Sequence, residues 1–420
     1  MRLLATNRRK LMFIFFVAIL LPLPVVAQTR PLLEHLSNDR LPSSDDTILA
    51  DTAWPTYQHD FRRTGRSPYQ GITKGVGIKW KYEVNSNQVI AVAGMSVGLS
   101  GTLYVKNSLD TAVINTAGQQ IQALPLGGTC GSVPTLSRNN TIYYEGAAIS
   151  NTGEILWQVP AANYCSHSTP AFETGGTVYF GVNYSLIAVD TINMTIKWSH
   201  YLGEYSGGGT PALGEDGTIY VSSSQSWETG FYAFNPNGSI KWSSTSLGYI
   251  SNPAIGDDGT IYSAKNKVLT AFNPDGTVKW NFDFDEDMCT LVTPAIASDN
   301  TVYFGTVRNT SDYTQTNFYA VNPNGTLKWY YTLYKNGWPR ICSSPIVDKD
   351  DNVFFCADDG RCYGFDKNGN KLWDLALDEG SWLRTSPVIA DDKVMYVTGG
   401  KKVYALVEVM PRAYLPLVAR

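Results

Sequence analysis

The 420-residue chain carries 33 Lys and Arg against 37 Asp and Glu, a net charge of −4 and a pI near 5.6. No basic stripe and no interleaving of aromatic with basic residues runs through it, which argues against a nucleic-acid partner. Its four histidines, His35, His59, His167 and His200, are isolated and supply no catalytic or metal-binding motif.

The chain opens with Arg2, Arg8, Arg9 and Lys10 ahead of an apolar run over residues 11–26, and Val25-Val26-Ala27 offers small residues for cleavage before Gln28. Residues 1–27 therefore read as a signal peptide. The run is short for a membrane span and is broken by Pro22 and Pro24. Gln28 stands where a bacterial lipoprotein needs cysteine, so no stable membrane anchor is expected, and Arg8-Arg9 permits a twin-arginine route. Residues 28–52, rich in Ser, Asp and Pro, read as a flexible linker.

From residue 53 to 408 the chain repeats. An aromatic follows a proline by nine positions in Pro134/Tyr143, Pro170/Tyr179, Pro211/Tyr220, Pro253/Tyr262, Pro294/Tyr303, Pro345/Phe354 and Pro387/Tyr396. An eighth unit keeps Tyr104 but has Met95 in place of the proline. The repeat averages about 42 residues, the length of one propeller blade. Each well-formed unit also carries a tight turn and then a tryptophan, as in NPNGSIKW ending at Trp242, NPDGTVKW at Trp280, NPNGTLKW at Trp329, DKNGNKLW at Trp373 and NTGEILW at Trp157. Asn-Pro fixes one φ and the following Asp-Gly or Asn-Gly tolerates φ > 0, which reverses the chain between strands. In residues 210–242 four β-prone runs are separable, TPAL, GTIYV, GFYAF and SIKW. The tryptophans are expected as blade-to-blade core.

The last unit stops after Leu406 without turn or tryptophan, while Ile78-Lys79-Trp80 copies Ile240-Lys241-Trp242 with no strands of its own unit before it. Joining these ends gives an all-β fold, an eight-bladed β-propeller of four-stranded antiparallel blades whose N-terminal strand closes the last blade and leaves no free array end. An open solenoid would need capping units that the sequence lacks. The tail, residues 409–420 with Tyr414-Leu415-Pro416-Leu417-Val418, is either a sorting or docking peptide or a strand or strap across the last blade.

Six cysteines in an exported chain point to disulfides rather than metal ligands. Cys356 and Cys362 flank the turn 357–361 and can meet across one hairpin, a closure worth about 2 kcal/mol. Cys130 and Cys165 occupy like positions before Pro134 and Pro170, as do Cys289 and Cys342 before Pro294 and Pro345. The pairings expected are 130 with 165 and 289 with 342, out of 15 connectivities.

These units, with the opening WPTYQHDFRRTGRSPY at residues 54–69, resemble the pyrroloquinoline-quinone-type (PQQ-like) repeats of quinoprotein alcohol dehydrogenase-like propellers and of BamB-type outer-membrane assembly lipoproteins. Quinone dehydrogenases of that family use adjacent cysteines over the cofactor, a calcium site and an aspartate base. This chain has no Cys-Cys pair, no Cys-x-x-Cys-His haem motif, and no calcium ligands or aspartate that can be placed by motif. PQQ and calcium are disfavoured, and neither a cofactor, a metal nor a catalytic residue is expected. Asp348-Lys349-Asp350-Asp351-Asn352 and Asp366-Lys367-Asn368-Gly369-Asn370 read as hairpin turns rather than calcium loops. Asp283, Asp285, Glu286 and Asp287 form an acidic run, either a solvated loop or a contact for a cation or basic partner.

What remains is a surface. The segments leading into the proline strands emerge on one face and carry Tyr164, His167, Tyr205, Tyr249, Trp338, Arg340, Trp382 and Arg384, residue types favoured at recognition sites. Thr169, Thr210, Asn252, Thr293, Ser344 and Ser386, just before the prolines, are expected to line the channel mouth. The expectation is a secreted monomer, periplasmic or extracellular, that acts as a non-catalytic binding or scaffold module for a protein or glycan. A PQQ-dependent periplasmic oxidoreductase is the alternative, and a structural surface protein the third reading.

Overall fold

The computed structural model describes residues 48–84, 94–107, 110–125, 132–144, 146–159, 168–173, 175–182, 184–203, 209–223, 230–245, 251–287, 292–309, 315–334, 340–377, 383–391 and 393–410. Residues 1–47 and 411–420 fall outside that set. Eight four-stranded antiparallel sheets form the ring, with one further two-stranded ribbon. Blades 1 to 7 span residues 95–124, 135–158, 171–201, 212–245, 254–283, 295–334 and 346–376. Blade 8 takes three strands from residues 388–409 and its outermost strand, Gly75–Glu83, from the start of the chain. First strands of neighbouring blades approach one another, so they line the axis and the fourth strands face outward.

The nine-residue beat has a simple cause. The residue after each proline pairs directly with the repeating aromatic across the first hairpin, as in Ala212 with Tyr220, Ala254 with Tyr262 and Ala295 with Tyr303. Proline, which has no N–H to give, therefore stands just ahead of the two-residue first strand. Blade 1 keeps the register with Ser96 opposite Tyr104, which explains how Met95 is tolerated.

The tryptophans do more than fill space. Each indole lies against the turn before the fourth strand of the next blade and donates to a turn carbonyl: Trp198 to Pro236 (2.8 Å), Trp242 to Pro274 (3.0 Å), Trp280 to Pro323 (2.8 Å) and Trp329 to Lys367 (3.1 Å). The glycine of that turn is required twice over. Gly276 has φ +88°, and a Cβ there would lie 2.7 Å from the Trp242 ring. Gly276→Ala is thus expected to lose about 2 kcal/mol or more in urea denaturation, from left-handed strain together with a displaced indole. Trp157 is the exception. Blade 3 turns through Asp190-Thr191-Ile192-Asn193-Met194 without proline or glycine, and the Trp157 ring, whose Nε1 has no acceptor among the described residues, packs edge-on to Phe180 at 5.6 Å.

Ring closure follows the expected route. Gly75–Glu83 runs antiparallel to Lys402–Val409, with Trp80 opposite Ala405. Trp80 then docks on blade 1 as its counterparts dock elsewhere, donating to Thr116 O at 3.0 Å. Blade 8 has no turn of this kind to receive Trp373, because its last two strands come from opposite ends of the chain. Trp373 donates instead to Ile72 O at 2.6 Å.

Candidate functional site

The two ends of the axis are built differently. First strands run toward the end closed by the opening segment, a strap that meets every blade in turn. Val97 N–H donates to Trp54 O in blade 1, Leu136 N–H to Pro55 O in blade 2, Leu213 to Phe61 O in blade 4 and Ile255 to Arg62 O in blade 5. Ile296 donates to Thr64 O, Val347 to Gly65 O and Lys393 to Gln70 O in blades 6, 7 and 8. Blade 3 is reached by Arg63, whose Nη2 donates to Pro170 O at 2.9 Å. The strap begins earlier than the linker reading to residue 52 implies: Arg138 N–H already donates to Ile48 O, and Ala50 N–H to Leu136 O.

At the centre of the strap Arg63 is completely buried. Its guanidinium also donates to Pro211 O (3.0 Å), Thr169 O (3.2 Å), Thr56 Oγ1 (3.1 Å) and Tyr57 O (2.9 Å). Burial pulls its pKa down to about 10, so it is still a cation at neutral pH. Across the axis Gln58 Nε2 reaches Thr293 O and Pro345 O at 3.4 and 3.3 Å, and Tyr57 Oη meets Ser344 Oγ at 2.6 Å. Gln58, His59 and Arg63 all have φ between 55° and 67°. Three left-handed residues within six persist only because surrounding contacts over-determine them.

The other end carries the segments before the prolines and the hairpins between second and third strands. Here the small polar residues do not line an open mouth as expected. All but Ser386 are buried, and they form a belt from blade to blade: Val133 N–H donates to Thr169 Oγ1, Thr169 N–H to Thr210 Oγ1, and Thr210 N–H to Asn252 Oδ1. Thr293 N–H donates to Ser344 Oγ, and Ser344 N–H to Ser386 Oγ. Backbone N–H groups so near the axis have no ladder partner, and a short polar side chain on the next blade supplies the acceptor.

Of the proposed recognition residues, Tyr164, His167, Tyr205, Tyr249, Trp338 and Trp382 lie outside the described residues, as do Cys130, Cys165 and Cys289. The structure brings Arg340 and Arg384 together around one hairpin of blade 7. Asp358 N–H donates to Arg340 O (2.9 Å), and the buried Asp358 carboxylate pairs with Arg384 Nη2 at 3.2 Å. The Cys356–Cys362 disulfide bridges facing positions of that same hairpin. Tyr363 donates to Asp359, and burial first, then this bond, push its phenol well above the usual range. Cys342 is also in a disulfide. The result is a cross-linked corner that presents a half-exposed guanidinium.

The acidic turns are accounted for locally. Asp348 Oδ1 accepts from Asp350 and Asn352 N–H, and Asp366 Oδ1 from Asn368 and Asn370 N–H, which are turn bonds. Among the described residues no His, Cys, Asp or Glu group is arranged to hold a metal ion. Glu286–Asp287 of the acidic run forms a short ribbon with Val307–Asn309.

The lysine before the tryptophan was overlooked by sequence reasoning. Lys241, Lys279 and Lys328 each reach back to an aspartate and a threonine of their own blade's first hairpin: Asp216 and Thr218, Asp258 and Thr260, Asp299 and Thr301. Burial raises the Asp216 carboxyl, but bonds from Lys241 and Thr218 outweigh it and hold the pKa at about 2. The signal was present in the recurring IKW, VKW and LKW triplets and in the acid four residues before each tyrosine.

Eight four-stranded blades closed by the N-terminal strand, with tryptophans docked on neighbouring turns, define a PQQ-like β-propeller. The chain belongs to the family described as outer membrane protein assembly factor BamB, whose sequence model matches residues 147–408. None of the curated proteins matches it in sequence. Among solved structures, a quinohemoprotein alcohol dehydrogenase from Pseudomonas putida superposes with a TM-score of 0.67 at 13% identity, over 90% of this chain and 84% of that one. BamB from Moraxella catarrhalis gives 0.54 at 14% identity, over 79% and 100%. A catalytically inactive virginiamycin B lyase from Staphylococcus aureus with quinupristin gives 0.50 at 12%, over 80% and 100%. At such identities the likeness is one of fold. Among the described residues no helix is long and apolar enough to cross a membrane.

Proposed function

We propose that the protein is an exported, non-catalytic propeller that presents the end opposite the strap to a protein or glycan at the cell envelope or outside the cell. The observation that carries this reading is the asymmetry of the axis. One end is sealed by a segment bonded to all eight blades, and the other bears Arg340 and Arg384, whose segments meet at the cross-linked Asp358 corner. Rigid scaffolds that present loops at one end are a common platform for recognition. The family's description names an outer membrane assembly factor, which supports an envelope location and a protein partner. Arg384, held by a buried carboxylate and still partly exposed, is the side chain expected to matter most to a partner.

The test uses the mature chain as bait, against envelope extracts and on a glycan array, beside Arg384→Ala and Arg340→Ala variants. A saturable partner is expected, with binding at least tenfold weaker for Arg384→Ala. A partner bound equally by both variants would move the recognition surface elsewhere. Dye-linked alcohol or sugar oxidation after adding PQQ and calcium would replace this reading with an oxidoreductase.

A further inference from the structure

Blade 8 departs from its neighbours on the strap side, and the departure leaves a site. In blades 4 to 6 the lysine before the tryptophan is pinned by an aspartate and a threonine. Blade 8 has Lys79 in that place and keeps an acid, Asp392, at the aspartate position, which lies outside the described residues, but Val394 stands where the threonine would be and offers no acceptor. No tight turn joins the last two strands of this blade. Between it, blade 1 and the start of the strap lies a cavity of about 420 Å³. That volume falls in the range of small-molecule sites, roughly 300 to 1,000 Å³.

Lys79 and Asp51 both line this cavity. Both are exposed, and neither has a hydrogen-bond or ion-pair partner among the described residues, nor are they paired with each other. Asp391 adds a second carboxylate to the wall. Blade 1 contributes its first hairpin, where other blades carry acids. Here it holds Leu99, 53% exposed, and Ser100 in a left-handed conformation at φ 61°.

We propose that this cavity binds a small zwitterion with an apolar side chain, a free α-amino acid or a short peptide, its carboxylate on Lys79, its ammonium on Asp51 and its side chain against Leu99. Opposite charges that share a cavity without pairing are satisfied together by a dipolar ligand; a simple anion or cation leaves one of them unmatched. The site is separate from the recognition end, so its fate does not bear on the proposal above.

Isothermal titration calorimetry on the mature chain decides the matter, with leucine, leucyl-leucine, N-acetyl-leucine and leucinamide as probes. Saturable binding of leucine or leucyl-leucine is expected, and whichever binds more tightly gives the ligand's length. N-acetyl-leucine and leucinamide, each lacking one charge, are expected to bind at least tenfold more weakly. Lys79→Gln and Asp51→Asn alter exposed side chains and are expected to retain the wild-type melting temperature while weakening the zwitterion at least tenfold. Absence of saturable heat with either zwitterion, equal affinity for the single-charge analogues, or unchanged affinity in both variants would overturn the proposal.

Discussion

Arg63→Met is expected to destabilise the protein by about 3 to 5 kcal/mol in urea denaturation followed by circular dichroism, among the largest losses any single substitution should produce here. The guanidinium is fully buried and serves carbonyls of blades 3 and 4 as well as the strap's own Tyr57 O. Methionine fills much of the volume but leaves Thr169 O, Pro170 O and Pro211 O without this donor, and a buried acceptor stripped of its partner costs about 1 to 3 kcal/mol. Part of that loss is offset, because burial already strains the cation, as its lowered pKa shows. Lysine is expected to rescue little, since one ammonium cannot reproduce a planar fork that spans two blades. The control is the neighbouring residue. Arg62 makes only surface pairs, with Asp257 at 2.9 Å and Glu215 at 3.8 Å, so Arg62→Met should lose less than about 1 kcal/mol. If Arg63→Met were as mild as Arg62→Met, the strap would be an ornament on a ring that holds itself together.

The contrast between these two arginines shows what was legible in the sequence. The ring was readable because its determinants are local and repeated: a turn with Gly276, an aromatic nine residues after a proline, a tryptophan in the last strand of every unit but the first. Closure through Trp80 was readable because a lone copy of a unit's last strand needs the unit that lacks one. The strap was not. Arg62, Arg63 and Arg66 look alike in a row, and only the ring's curvature sends Arg63 to the axis while both its neighbours reach the surface carboxylate of Asp257. The belt was misjudged for a related reason. Thr169, Thr210 and Ser344 mark an edge of the channel in sequence, but their hydroxyls answer the next blade's backbone, a demand set by blade spacing. Of the candidate site, Arg340 and Arg384 could be placed on one face, whereas their meeting at Asp358 depends on tertiary register.

The second large effect is a collapse of stability on the alkaline side. Tyr179, Tyr220, Tyr262 and Tyr303 are the repeating aromatics of blades 3 to 6, and each is at most 2% exposed. Burial, reinforced by a nearby carboxylate in each case, pushes their phenols up: Tyr220 to about 12, the other three further. The unfolded chain ionises at the ordinary value near 10 while the folded chain stays neutral. A raised folded pKa means that the stabilisation is complete below pH 10 and is lost as pH climbs from there toward the folded values. Each such ring contributes a slope of about 1.4 kcal/mol per pH unit, so four together give about 5 kcal/mol per unit. A domain with a stability of roughly 5 to 15 kcal/mol would exhaust it within about one to three units above pH 10. Arg63 works against this trend, because its lowered pKa favours the folded state as pH rises past 10, but it is one group against four. The expected observation is a cooperative loss of β-sheet circular dichroism that coincides with a jump in tyrosinate absorbance at about 295 nm. Tyrosinate appearing gradually around pH 10, with the sheet signal intact, would mean that these rings reach solvent in the folded state and that the hairpin cores are looser than their burial indicates.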